Sequence, residues 1–250
     1  MNTPPFARWI LRGFAVLVSL ALTLFLAIYS FDFRQKSKAE ALLKDIRTLR
    51  VGQSTKADVE RIMSHHGGGP SQSSTSSCDP VDGAYDVWTG SETIVWLEQS
   101  IHLLSHLGRR MWGTAATVIL HEGKVCFLSY GVGMEDPERK WEWSVETKLL
   151  VAGAIFAPDG SHPGYETRTR DYKGVRRLTS NVTTDATEEE RRRAFTYDLS
   201  CVTSFRGCRQ RCQIAPLVWQ DEYHASLKNG TPLPTEETTD SRCKPLETAP

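Results

Sequence analysis

Glu98, His102 and His106 have the residue types and the spacing of a metal site. They occupy positions i, i+4 and i+8, so a helix over this stretch places all three on one face. Two imidazoles and one carboxylate can hold zinc. The spacing is equally that of a polar stripe on a half-buried helix, and the HExxH motif is absent because His121 and Glu122 precede Gly-Lys-Val. The sequence leaves both interpretations open.

Two more histidines, His65 and His66, are adjacent at the end of a predicted helix and precede three glycines. Neighbouring helical side chains point about 100° apart, so adjacent imidazoles rarely bind one ion together. A solvated helix C-terminus, whose dipole favours cationic imidazole, explains them without a ligand. We therefore expect this pair to belong to the scaffold.

Cysteines form the third set of chemically capable residues. All six follow the apolar stretch described below, and an even number suits disulfides in an oxidising compartment. Zinc is the alternative, but only Cys208 and Cys212 have a usual ligand spacing. We predict disulfides, with Cys201 bonded to one of that pair and Cys243 fixing the tail. The candidates are Cys78, Cys126, Cys201, Cys208, Cys212 and Cys243.

Tryptophans provide the remaining candidate site. Such side chains line some ligand clefts, but more often they fill the core of a small domain. Trp141, Trp143 and Val145 share one face of a predicted strand, because alternate strand residues point the same way. The candidates are Trp88, Trp96, Trp112, Trp141 and Trp143.

The rest of the sequence argues against catalysis. It contains no G-x-S-x-G motif, no phosphate-binding P-loop and no C-x-x-C. The stretch GVGMED after Tyr130 lacks the third glycine and the helix of a dinucleotide-binding fingerprint. The 30 basic and 30 acidic residues give no net charge, unlike a typical nucleic-acid-binding protein. We expect no catalytic residue, no cofactor and no nucleic-acid partner.

An apolar stretch without charges runs from Gly13 to Phe31. As a helix, about 19 residues reach about 28 Å, close to the roughly 30 Å bilayer core. Trp9 and Tyr29 lie near its ends, where interfacial aromatic residues belong. A cleaved signal peptide is the alternative, but the run is long and no small-x-small site follows closely. The sequence predicts an uncleaved transmembrane anchor.

Two patterns disagree about the side of the membrane. Basic residues before the anchor (Arg8, Arg12) and after it (Arg34, Lys36, Lys38) nearly balance, with a slight preference for a cytoplasmic domain. The cysteines instead favour an oxidising compartment. We favour a globular part outside the cytoplasm, and a cytoplasm-facing zinc-binding domain is the alternative.

Two helices are predicted to pack as a hairpin after the anchor. The first is a stalk with Ala39, Leu42, Leu43, Ile46 and Leu49 at helical spacing. The second begins at Thr55, with Asp58 completing a capping box, and its apolar face contains Val59, Ile62 and Met63.

Strand patterns and a second helical region follow. The strongest hairpin pattern is TAATVIL-HEGK-VCFLSYGV, with further strand patterns at 84–90, 141–156, 165–172 and 175–184. Residues 92–99 resemble a strand, and 95–108 a helix. Thr187 and Glu190 form a predicted capping box before the C-terminal helices.

Two local resemblances add expectations. The order L-x-V-G-x-S-T-K-A-D-V, two helices and a meander resembles the small lipoprotein of the outer-membrane barrel-assembly machinery, over about residues 43–130, without its lipid-attachment cysteine. The run ATEEERRRAFTYDLSCVTSFRGC resembles uncharacterised single-pass proteins of acidobacterial type. The first implies a helix-helix-sheet plan in the bacterial envelope, and the second implies a single-pass protein without an assigned activity.

Together these patterns predict an α+β protein with a transmembrane helix, a helix hairpin on an antiparallel sheet and a cysteine-stapled C-terminal helical segment. The expected function is a membrane-anchored, non-enzymatic envelope module that binds another envelope protein. The alternative is a metal-binding or hydrolytic domain that uses Glu98, His102 and His106. The predicted boundaries are 1–12 tail, 13–31 anchor, 32–50 stalk helix, 51–228 globular domain and 229–250 mobile tail.

Overall fold

The computed structural model describes residues 5–73, 78–91, 110–135, 141–152, 155, 163–172, 174–204, 207–230 and 243. Its helices are α1 (Pro5–Ile46), α2 (Lys56–His65), α3 (Glu188–Ala194), α4 (Arg211–Ile214) and α5 (Pro216–Asn229), with a 3-10 turn at Ser200–Thr203. Its strands are β1 (Gly69–Ser71), β2 (Gly83–Gly90), β3 (Met111–His121), β4 (Lys124–Glu135), β5 (Trp141–Leu150), β6 (Tyr165–Tyr172) and β7 (Val175–Thr183). The predicted strand and helix between residues 92 and 108 lie outside the described residues.

The strands form one sheet in the order β1-β2-β3-β4-β5-β7-β6. All neighbours are antiparallel except β5 and β7, which run parallel. The predicted β3–β4 hairpin is confirmed, and its turn residues Glu122 and Gly123 have φ of 50° and 70°. Positive φ at both central positions matches the right-handed strand twist. The expected α+β class is confirmed, and the predicted antiparallel sheet is antiparallel except at the β5–β7 pair.

One face of the sheet carries the main hydrophobic core. Val118, Leu128, Tyr130 and Val145 are fully buried on this face. The last turns of α1, together with α2, α3 and α5, contribute to the same apolar cluster. A smaller cluster contains the pair Cys78 and Cys126, next to Ala84 and Ile119. The helices therefore cover one face of the sheet.

Helix α1 combines two different environments in 42 residues. From Trp9 to Phe33 it exposes large apolar side chains, including Phe14 at 65% and Leu22 at 57%. From Ala39 to Ile46 its inner face is buried in the core. Among the described residues it is the one helix long and apolar enough to cross a membrane, by length and composition. The predicted anchor and stalk are thus parts of a single helix.

The turn after α1 is fixed to the β3–β4 hairpin through backbone hydrogen bonds. The Gly52 N–H donates to the Val125 carbonyl at 2.7 Å, and the Val125 N–H donates to the Ser54 carbonyl at 2.9 Å. Arg50 also forms an ion pair with Glu188 of α3. These contacts hold the start of α2 against the sheet.

The six cysteines form three pairs: Cys78–Cys126, Cys201–Cys208 and Cys212–Cys243. The second pair is the predicted bond from Cys201 to the Cys208/Cys212 segment, and the third holds Cys243 beside α4. Of the predicted mobile tail, only residues 229, 230 and 243 are described. The second pair therefore links two positions within the C-terminal helical segment, and the third joins that segment to Cys243.

Helix α5 covers the edge of the sheet at β6. The Glu222 carboxylate accepts a 2.9 Å hydrogen bond from the Thr169 N–H, and Tyr165 donates its hydroxyl hydrogen to Asp221 at 2.8 Å. Asp221 also forms an ion pair with Arg193 of α3. An open strand edge can pair with a foreign strand, and these side chains occupy that edge.

Replacing Leu42 with alanine tests whether the end of α1 belongs to the core. Leu42 is 1% exposed, and we expect Leu42→Ala to lower the free energy of unfolding by about 2–5 kcal/mol through lost burial and a cavity. The matched control is Leu22→Ala in the exposed part of α1. Denaturant unfolding of the detergent-solubilised chain measures both. Equal effects of the two substitutions would contradict this assignment.

Candidate functional site

A cleft of about 580 Å³ opens between α1, the end of α2 and β2. Its wall is mixed: α1 contributes Gln35, Lys38 and Leu42, while β2 contributes Val87 and Trp88. His65 and His66 complete it from the end of α2. The cleft thus joins apolar surface to groups that donate and accept hydrogen bonds.

Helix α2 is fixed at its beginning by the predicted capping box. The Asp58 carboxylate accepts the Thr55 N–H at 3.0 Å, and the Thr55 hydroxyl accepts the Asp58 N–H. This satisfies backbone N–H groups that have no partner inside the helix. The hydrogen bond from the Thr55 backbone is the main reason that the pKa of Asp58 is lowered.

Glycines allow the end of α2 to approach β2. Gly67 has φ of 76°, a conformation that favours glycine at a helix end. At Gly68 a Cβ atom would lie 2.7 Å from the Asp86 carbonyl oxygen and from the Val87 Cβ. The glycine run after the histidines is therefore a packing requirement, as expected for scaffold, and it also sets where the histidines lie.

The histidines meet an acid from α1 at this point. His66 Nε2 lies 2.8 Å from Asp45 Oδ2, and the His66 side chain is only 8% exposed. The His65 and His66 rings are perpendicular, with centroids 4.9 Å apart. One potential ligand atom from each of Asp45, His65 and His66 lies within 4.8 Å of the others. We call these three residues the Asp-His-His cluster.

The structure changes the interpretation of the histidine pair. His65 is exposed, as expected at a solvated helix end. His66 is the C-cap residue, with φ −97° and ψ 7°, and its ring turns inward to α1. The two rings are in contact although the residues are neighbours at a helix end. Asp45 was not predicted, because the sequence contains no local pattern that links it to residues 20 positions away.

The tryptophans separate into two groups. Trp112 and Trp143 are 2% and 3% exposed and belong to the core, as expected for most such side chains. Trp88 is 43% exposed. It borders the cleft, but because it alternates with the core residue Val87 its side chain lies on the opposite face of the sheet. Its ring covers Gly113, where any Cβ would collide with it. Trp96 lies outside the described residues, as does the side chain of Trp141.

Other predicted site residues lie elsewhere. Glu98, His102 and His106 are outside the described residues, so their spacing on a helix face stays a prediction. The cysteines are paired away from the cleft.

The largest pKa changes concern the core. Burial raises the pKa of Tyr130 and that of Tyr197. The Tyr197 hydroxyl also forms a 2.9 Å hydrogen bond with the Thr147 hydroxyl. Burial also lowers the pKa of Arg191 to about 10, and its guanidinium donates to the Leu49 carbonyl. These groups hold α1, α3 and the sheet together and lie away from the cleft wall.

Comparisons with family models, with curated proteins and with solved structures find no match for this chain. The resemblances to the barrel-assembly lipoprotein and to the acidobacterial proteins therefore stay predictions.

The Asp58 cap predicts a pH-dependent stability. Because folding lowers the pKa of Asp58, its contribution is present above the pKa of the unfolded chain and is lost as the pH falls through the lower folded value. We expect Asp58→Asn to have a lower melting temperature than the wild type at neutral pH, with a difference that shrinks as the pH falls below the ordinary aspartate pKa of roughly 4. Thermal unfolding across this range measures it, and a pH-independent difference would refute the cap's role.

Proposed function

We propose that this chain is a single-pass membrane protein whose domain lies outside the cytoplasm and binds another envelope protein without catalysing a reaction. The observation that carries the proposal is helix α1, which exposes apolar side chains along its first part and is buried in the domain core along its last turns. A helix shared in this way joins a membrane anchor to a domain without a flexible linker.

The position of the cleft favours a partner at the membrane surface. The cleft begins at Gln35, four residues beyond the predicted end of the span at Phe31, which is about 6 Å of helix. The Gln35 side chain accepts a 2.9 Å hydrogen bond from Thr89, so β2 is held at the same level. The proposed partner is therefore an envelope protein that is embedded in the same membrane or lies on it.

The composition of the cleft supports binding. Leu42 and Val87 form an apolar floor beside polar groups such as Lys38. We further propose that α1 and α2 form a helix hairpin. The two helices and β2 together enclose the cleft.

The cysteine pairs support a location outside the cytoplasm. Three pairs at bonding distance suit an oxidising compartment, whereas cytosolic thiols are usually kept reduced. The alternative with a cytoplasmic, zinc-binding domain requires free thiols at the same positions.

Thiol labelling in intact cells tests the anchor and its orientation. We expect a membrane-impermeant maleimide to label the native chain only after reduction, and the chain to stay in the membrane pellet at alkaline pH. The control is the variant Lys44→Cys, at an exposed position of α1 outside the cleft, which should be labelled without reduction. Protection of this introduced thiol, together with reactive native thiols inside the cell, would support the cytoplasmic alternative instead.

Photocrosslinking in living cells tests the partner. A photoreactive residue at Lys38 or Thr89 in the cleft should crosslink one envelope protein, whereas the same residue at Lys228 on the exposed end of α5 should not. An identical pattern from the cleft and from Lys228 would contradict the proposal.

A further inference from the structure

We propose that Asp45, His65 and His66 bind one zinc ion at the point where α1 and α2 end. The site goes beyond the proposed function, because it requires no protein partner and no residue of the predicted Glu98, His102 and His106 set. It is built from a carboxylate on α1, the last residue of α2 and its C-cap residue.

The ligand geometry is close to that of a zinc site. Zinc bonds to imidazole nitrogen and carboxylate oxygen are about 2.0–2.2 Å long, so tetrahedral ligand atoms lie about 3.2–3.6 Å apart. One potential ligand atom from each residue lies within 4.8 Å of the other two, and His66 Nε2 and Asp45 Oδ2 are 2.8 Å apart. Small movements of the exposed His65 ring and of the Asp45 carboxylate complete the set.

The two adjacent histidines meet at the end of α2, where His66 is the C-cap residue. The His66 N–H donates to the Ile62 and Met63 carbonyls at 3.2 Å, which closes the last turn of α2. The two rings are nearly perpendicular, and one ligand atom of each lies within 4.8 Å of an Asp45 carboxylate oxygen. The backbone of His66 is fixed by these bonds and by the Gly67–Gly68 turn, so the backbone of one of the three ligands is already positioned.

The electrostatic environment favours a cation. Helices α1 and α2 both end beside the cluster, and helix C-termini carry partial negative charge. Asp45 adds a carboxylate. The nearby Arg61 is exposed and lies 3.5 Å from the Asp58 carboxylate, and Lys38 extends from the exposed side of α1. Both cationic side chains can therefore move away from a bound ion.

The site leaves one coordination position open. Three protein ligands with a water or another ligand in the fourth position are the usual arrangement of an accessible zinc ion. His65 lies on the wall of the cleft and also on that of a second cavity of about 570 Å³, which Asp45, Thr48 and Arg61 line. An ion has access from both sides, and its fourth ligand is exchangeable.

Zinc titration of the full-length chain in detergent tests this proposal. After removal of metals with a chelator, we expect one Zn²⁺ per chain, measured by competition with a chromophoric chelator. Saturating zinc should raise the melting temperature, because an ion that binds only the folded chain stabilises it. Acid should weaken binding, since both imidazole nitrogens must be unprotonated to act as ligands.

Variants assign the ligands. His65→Ala removes an exposed side chain, so we expect the fold to persist while zinc affinity falls by at least about tenfold and the zinc-dependent melting shift disappears. Asp45→Asn should act in the same direction. The matched control His224→Ala, at an exposed histidine on α5, should leave both quantities unchanged.

Three results would overturn the site. The first is that the wild type does not bind zinc, and the second is that His65→Ala binds zinc as tightly as the wild type. The third is that the double variant His102→Ala/His106→Ala loses zinc binding while His65→Ala retains it. None of them bears on crosslinking at the cleft, so failure of the zinc site and failure of the proposed protein partner are distinguishable.

Discussion

Burial of the last turns of α1 is the constraint on which the rest of the structure depends. Ala39, Leu42 and Ile46 are at most 1% exposed, and they pack in the same cluster as the central strands. The helix that bears them exposes apolar side chains over its earlier turns. Because α1 has no break, one helix axis runs through both its exposed and its buried parts. The sheet, the cleft and α2 therefore have a defined orientation relative to the exposed apolar segment.

The same arrangement explains the place of the cleft. The turn after α1 is bonded to the β3–β4 hairpin, and α2 begins there and ends beside Asp45. The glycines that follow α2 let the chain enter β1 in close contact with β2. Packing therefore brings polar side chains from α1, α2 and β2 to one opening. The position of each of these elements is itself explained by its packing in the fold.

Local patterns predicted much of the fold. Strand periodicity indicated β3, β4, β6 and β7, and the capping residues Thr55 and Thr187 mark the observed starts of α2 and α3. These features depend on neighbouring residues. The position of β7 between β5 and β6, the cysteine pairing and the contact of His66 with Asp45 depend on long-range packing, which periodicity does not encode. Asp45 is an ordinary surface acid in the sequence, and only the ending of α2 beside it makes it a ligand candidate.

The most direct measurement is a spin-label accessibility scan along α1, from Phe14 to Lys44, with the chain in a lipid bilayer. The account predicts one uninterrupted helical period, with lipid contact through the apolar segment and immobilised labels at Ala39, Leu42 and Ile46. The account would be contradicted if the helical period of accessibility were lost near Phe31, with mobile labels between a lipid-exposed segment and a buried one.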